Sequence, residues 1–302
     1  MKRIAFACAV AAAVMAGSIR LPAAETARLR YVLAVYVDEK GEGLKLPEGI
    51  ACGKDGQVIV ADTGNDRLLR FTFNDKSIAG GTEIKLQEVG APSHLQVSSK
   101  GEIYAIDGRQ RRVVRIGADG AFKNALNYSG MPGPSTVIAK DLAIDAADTL
   151  YVLDVFASRV LVLNDRGEFQ RAVKLPDTLA FGSDLAVDGA GNLLLLDAIG
   201  RRIYTAAKDA TVFTRLGGDL TSVIATMPTA MTTSKGVIFV LEGIGSSVVA
   251  LGRDGSFIAH QLTMGWNEGA LNHPSQMCVN ERDEAFIADR DNSRVQVFQL
   301  LR

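Results

Sequence analysis

The chain has almost no charge imbalance, few aromatics and no sustained helical period, and each shortage removes a class of function. Lys and Arg number 33 against 34 Asp and Glu, a net charge of −1 over 302 residues. No electrostatic footprint for nucleic acid or an anionic membrane is present. Aromatics make up 6% of the chain, too sparse for stacking on bases. No nucleophile elbow, zincin helix motif, CxxC or CxxCH pair, or phosphate-binding glycine loop occurs. Long apolar runs are missing too. Ile4 to Met15 is the longest early one, and it is too short to cross a bilayer. With Lys2 and Arg3 before it and small residues after it, this run reads as a secretory signal over residues 1–24, with Ala16 or Ala24 before the cut. Cys8 falls inside it. The expectation is a single exported domain over 25–302, periplasmic or extracellular, with no membrane span and no nucleic-acid partner. Hydrophobic content of 47% and charged content of 22% are ordinary for a globular domain.

What is present is one unit stated six times. A carboxylate closes an apolar run at Asp62, Asp107, Asp154, Asp197, Glu242 and Asp289, at intervals of 45, 47, 43, 45 and 47 residues. Arginine follows five residues later in all but the fifth copy: Arg67, Arg112, Arg159, Arg202 and Arg294. The fifth copy has Ser247 there. A fixed period of this length means a repeat architecture. Within a copy, strand-length β-branched runs such as Val58-Ile59-Val60-Ala61 and Leu68-Leu69-Arg70-Phe71 alternate with Gly, Asn and Asp turns. A less regular fourth run follows, such as Phe169 to Leu175 or Ser256 to Leu262. Four strands per unit in six units predict an all-β, six-bladed β-propeller of four-stranded blades. The sixth copy ends after its third strand, and Leu29 to Val37 reads as a strand ahead of the first copy. The N-terminal strand is therefore expected to complete the last blade.

The stretches Leu46-Pro47-Glu48-Gly49-Ile50-Ala51, Ala61-Asp62-Thr63-Gly64-Asn65-Asp66-Arg67-Leu68 and Ala288-Asp289-Arg290-Asp291-Asn292-Ser293-Arg294-Val295 resemble the NHL repeat. The likeness covers roughly residues 40 to 302. It implies the propeller fold and leaves activity open, because that family includes scaffolds, RNA binders and a metal-dependent lyase. The resemblance to that amidating lyase implies a channel zinc held by several histidines. This chain has three histidines in all. Lactonase-like six-bladed propellers use Glu, Asn and Asp on a channel calcium or similar ion, and Asp141 and Asp184 could play such parts.

The Asp and Arg at fixed offset are read as structural, holding the turn between second and third strands, since chemistry is needed once and structure six times. The informative position lies just before the innermost strand, where the copies read Gly49, His94, Asp141, Asp184, Thr229 and Gln276. These groups should converge on the channel mouth, with Glu48, Ser93, Lys140, Ser183 and His273 nearby. His94, Asp141 and Asp184 could hold a divalent cation (Ca, Zn or Mn); the same groups could bind a polar small molecule, or solvate a wet channel. His260 reads as structural or exposed.

Cys52 and Cys278 fall on the innermost strands of the first and last copies. A bridge is allowed in an exported compartment. Facing sheets stand about 10 Å apart and a disulfide needs closer Cα atoms, so two small buried hydrophobes are the favoured reading. The loops Tyr128 to Pro134 and Thr263 to Asn272 are longer than the rest, and the second carries the one tryptophan. Trp266 is expected to fold over its own blade end, with partner binding as the alternative. The function expected is a binding or scaffold module for an exported protein partner or a small polar ligand. The alternative is a metal-assisted hydrolase or lyase at the mouth, with one Asp or His94 moving protons.

Overall fold

The computed structural model describes residues 26–128 and 130–302; the signal segment read at 1–24 lies outside them. The second strand of every copy is a continuous apolar run rather than an alternating one. That pattern requires cover on both faces, and the architecture supplies it. Six four-stranded antiparallel sheets stand radially, each packed between two neighbours. Ile103–Asp107, Leu150–Asp154 and Leu193–Asp197 are buried at every position. The core is a ring of seams. Between blades one and two, Ala51, Ile59, Leu68 and Ile84 meet Leu95, Ala105 and Val114. Between six and one, Phe73 and Phe286 pack edge to face at 5.4 Å.

Blade six is built from both ends of the chain. Arg28–Val35 pairs antiparallel with Arg294–Leu301 and supplies the outermost strand, as the missing fourth run predicted. A second closure joins the same seam. Cys52 and Cys278 are disulfide-bonded with Cα atoms 5.7 Å apart, against the favoured reading of two unlinked residues. The 10 Å spacing applies where sheets lie flat on each other. Blades are wedges, so neighbouring innermost strands converge toward the axis and come within bridging distance.

The repeated carboxylates explain themselves locally. Each sits where the second strand turns into the third, and the residue before the third strand has a left-handed backbone: Asp66, Arg111, Ser158, Arg201, Ser246 and Ser293 all have φ between 46° and 61°. That conformation is unfavourable for a side-chain-bearing residue. The carboxylate compensates by accepting N–H groups of the turn or of the loop that enters the innermost strand. Asp62 takes Lys45 N–H at 2.6 Å, Asp107 takes Arg109 and Gln110, and Asp289 takes Asn272 at 2.6 Å. The other oxygen meets the arginine in four blades: Arg67 at 2.8 Å, Arg112 at 3.2 Å, Arg159 at 3.0 Å and Arg294 at 2.7 Å.

The fourth pair differs from expectation. Arg202 turns to Asp219 at 3.2 Å, and Asp197 is satisfied by the N–H groups of Ala180, Phe181 and Gly200. In the degenerate fifth copy, Ser247 is too short to replace arginine alone. Its hydroxyl donates to Glu242 at 2.6 Å, and His260 reaches in from the outer strand to Ser247 at 2.8 Å and Glu242 at 3.2 Å. His260 is thus structural, as read.

Candidate functional site at the channel mouth

In four consecutive blades the innermost strand carries a bulge at its entry. One residue has no partner on the second strand: His94 in blade two, Lys140 in blade three, Ser183 in blade four and Thr229 in blade five. A bulge re-aims a side chain at a sheet rim. All four side chains line one cavity of about 380 Å³ at the mouth, with Glu48, Arg290, His273 and Ser275 from blades one and six. His94 has φ 41°, a strained geometry of the kind that collects at functional positions.

The bulges also divide the ring of residues inferred from the repeat. Asp141 and Asp184 lie one step below the mouth, each with one oxygen bonded to the next blade. Asp141 Oδ2 accepts the Leu185 N–H of the next blade at 2.6 Å, and Asp184 Oδ2 accepts Met231 N–H at 2.7 Å. Gln276 Oε1 accepts Ile50 N–H at 2.9 Å and Leu95 N–H at 3.0 Å, while its amide donates to Leu95 O. Innermost strands have a free edge facing the axis, so their N–H groups need such partners. These side chains bolt blade to blade. Gly49 is where the bolt passes closest: a Cβ there would stand 3.1 Å from His94 N and 3.0 Å from the Leu95 side chain.

Thr229 does not belong to that ring. The hairpin of blade five turns on two residues, Lys235 and Gly236, so Met231 pairs with Val240 and Ala230 takes the position of Asp184. The shorter turn shifts the repeat offset by one residue, which counting along the sequence missed.

His94, Asp141 and Asp184 present ligand atoms within 4.8 Å of one another, between the mouth and a second cavity below it lined by Asp184, Gln276 and Leu95. Burial, reinforced by the Asp141 carboxylate, drives the Asp184 pKa well above the ordinary carboxylate value. Burial pushes His94 down, with the Lys140 ammonium acting in the same direction. Burial thus favours a neutral imidazole at His94 and the protonated form of Asp184. Asp141 Oδ1 and His94 Nδ1 are buried without a hydrogen-bond partner. The arrangement can hold one proton or one cation.

Glu48 and His273 reach the mouth as expected, but both are engaged. Glu48 pairs with Arg290 at 2.9 Å, and His273 with Asp291 at 3.0 Å. Trp266 does not fold over its blade. Its side chain is 79% exposed, while Arg294 holds the loop backbone through Trp266 O, Asn267 O and Ala270 O. The apolar wall of the mouth, Phe181, Met227 and Ile244, was missed. A signal existed: segments 178–183, 220–230 and 243–246 contain no Asp, Glu, Lys or Arg. Among the described residues no helix is long and apolar enough to cross a membrane.

The NHL repeat profile matches residues 44–71 and 271–298. A comparison with curated proteins finds no match. Solved structures share the fold. Virginiamycin B lyase from Staphylococcus aureus aligns with a TM-score of 0.64 at 14% identity, over 91% of this chain and 100% of that one. A gluconolactonase from Xanthomonas campestris aligns with a TM-score of 0.64 at 16% identity, over 91% and 90%. A chain of a nidogen/laminin complex aligns with a TM-score of 0.58 at 19% identity, over 72% and 80%. At these identities the likeness concerns architecture alone. The chain is a six-bladed β-propeller that carries NHL repeats at residues 44–71 and 271–298.

Proposed function

We propose that this protein is an exported binding module whose ligand or partner seats on the mouth end of the propeller. One observation carries the reading. Of the thirteen exposed large apolar side chains among the described residues, ten lie in the turns and loops of that end: Tyr36, Val37, Val155, Phe156, Phe181, Ile199, Met227, Ile244, Met264 and Trp266. Exposed apolar residues concentrated on one rim mark an interaction site. The Asp141, Asp184 and Gln276 bolts below it keep that rim rigid. The test is a thermal-shift screen of small polar and amphipathic compounds on the wild type, on Met227→Asp/Ile244→Asp at the mouth, and on Phe257→Asp at the opposite end. Stabilising compounds lost only in the mouth variant support the reading. Compounds that act equally on all three proteins would refute it.

A second reading is metal-assisted hydrolysis or elimination. What favours it is the pair of unpartnered buried atoms, Asp141 Oδ1 and His94 Nδ1, in a three-donor cluster. His94, Asp141 and Asp184 would hold a Ca, Zn or Mn ion. A bound ion supplies polarisation of a substrate oxygen or activation of water. Elsewhere this architecture serves a virginiamycin B lyase and a gluconolactonase, so the scaffold accommodates enzymes. Metal analysis of tag-free protein decides. Near-stoichiometric metal and a chelator-sensitive melting temperature support this reading, and metal-free protein indifferent to chelator sinks it.

A further inference from the structure

The mouth cavity has two unlike halves. Blades four and five give it Phe181, Met227 and Ile244, each 43–55% exposed. Blades six, one, two and three give it Arg290, Glu48, His94 and Lys140. The charges in the polar half cancel, with one exception. Arg290 meets Glu48 at 2.9 Å and Asp291 at 2.6 Å, and His273 meets Asp291. Lys140 has no carboxylate within ion-pair distance among the described residues. It is the bulged residue of blade three, so it stands next to the apolar half. The acids nearest it, Asp141 and Asp184, lie one step below and accept N–H groups of the next blade, and on the apolar side 130–139, 155–158 and 178–183 lack Asp and Glu altogether. An unpaired ammonium beside an apolar wall is complementary to a molecule with one anionic group and an apolar body.

We propose that the mouth binds a small amphipathic anion, its carboxylate or equivalent acid on Lys140 and its apolar body against Phe181, Met227 and Ile244. This rests on the binding reading above and names the ligand class for the same site. Lys140 sets the sign of the ligand's charge, and the apolar residues supply most of the affinity.

The probes are decanoate, decanol and decyltrimethylammonium below their micellar concentrations, titrated calorimetrically against the full-length mature chain. A charge-assisted contact predicts decanoate binding about tenfold or more tighter than the other two. Lys140→Gln abolishes that preference and leaves decanol within about twofold. Lys140→Arg retains it, and Ile244→Asp weakens all three by about tenfold. A matching melting temperature for each variant shows that it is folded. Equal or tighter binding of the cationic probe, or decanoate affinity unmoved by Lys140→Gln, overturns the proposal. If decanol binds and Ile244→Asp removes it while Lys140→Gln has no effect, the mouth remains a binding site and the charge assignment falls. If no probe binds wild type, both the ligand class and the mouth as a small-molecule site fall.

Discussion

Replacing Asp184 with asparagine should stabilise the metal-free protein at neutral pH. Asp184 is 3% exposed and adjoins the buried carboxyl of Asp141. Its folded-state pKa is raised, first by burial and second by that neighbour. The sign follows from linkage. A group with a raised folded pKa contributes its stability fully below the unfolded value, and loses it as pH climbs toward the folded value. Each unit of elevation is worth about 1.4 kcal/mol once the pH exceeds the folded value. Asparagine removes that liability and keeps a carbonyl oxygen for Met231 N–H, now 2.7 Å from Asp184 Oδ2. Its amide can donate to Asp141 Oδ1, which has no partner, and satisfying a buried acceptor is worth about 1–3 kcal/mol. The expected gain is an increase of about 3–8 °C in melting temperature at pH 7–8 for a chain of this size. It should shrink as pH falls toward 4, where the aspartate of the unfolded chain becomes about half protonated. The assay is thermal and urea unfolding of both proteins from pH 4 to 8 with chelator present. An asparagine variant no more stable than wild type at pH 8 refutes the raised Asp184 pKa. A reversal of order on adding Ca, Zn or Mn would instead point to a cation in that place.

Three further outcomes are expected. Cys52→Ser/Cys278→Ser should lower the urea midpoint, since a 226-residue loop gives a chain-entropy limit of about 5 kcal/mol. It should also steepen the transition, because the unfolded chain is no longer cross-linked. Wild type should respond to reductant in the same way, and indifference to dithiothreitol would rule the bridge out. Arg294→Met should cost about 3–5 kcal/mol, because it strands Asp289 as an unpaired buried charge; it should also expose the Trp266 loop to limited proteolysis, and an unchanged cleavage pattern would deny the arginine its clamping role. Gln276→Ala frees the N–H groups of Ile50 and Leu95 at once and should cost about 2–4 kcal/mol in chemical denaturation; a loss below about 0.5 kcal/mol would mean these N–H groups find water instead.

The circular order of six sheets and the closing role of Arg28–Val35 were legible because a repeat repeats its errors too: one copy misread would have broken the period. The convergence of His94, Asp141 and Asp184 was legible for the same reason, since equal offsets from Asp107, Asp154 and Asp197 put three neighbouring blades' side chains within 4.8 Å of one another. What the period could not carry was any feature with a count of one. The two-residue Lys235-Gly236 turn shifts Thr229 out of register, and nothing in the spacing of the carboxylates reveals it. The disulfide was judged by the spacing of flat sheets, whereas wedges converge at the axis. The bulges were the deepest omission. They decide that Lys140 and Ser183 face the mouth while the adjacent Asp141 and Asp184 face the next blade, and alternation along a strand alone would put each pair the other way round as readily.

The copies that depart from the repeat are also the copies that make the mouth apolar. In blades two, three and six the arginine bonds carbonyls of the loop entering the same blade: Arg112 to Glu88 O, Arg159 to Pro132 O and Pro134 O, Arg294 to three carbonyls of the Trp266 loop. In blade four Arg202 leaves for Asp219, and in blade five Ser247 stands where the other copies have the arginine. There Asp197 takes Ala180 and Phe181 N–H, Glu242 takes Thr226 N–H, and the loop carbonyls go to other donors, Tyr204 on Thr178 O and Arg201 on Ile224 O and Ala225 O. Those same loops carry Phe181 and Met227 into the cavity. A repeat under structural pressure alone would degrade at random among its blades. Here two adjacent blades lose the carboxylate–arginine pair, their loops turn apolar, and Lys140 stands unpaired at their border. That coincidence of position is the physical reason for placing recognition on blades three to five rather than at the more polar side of the same opening.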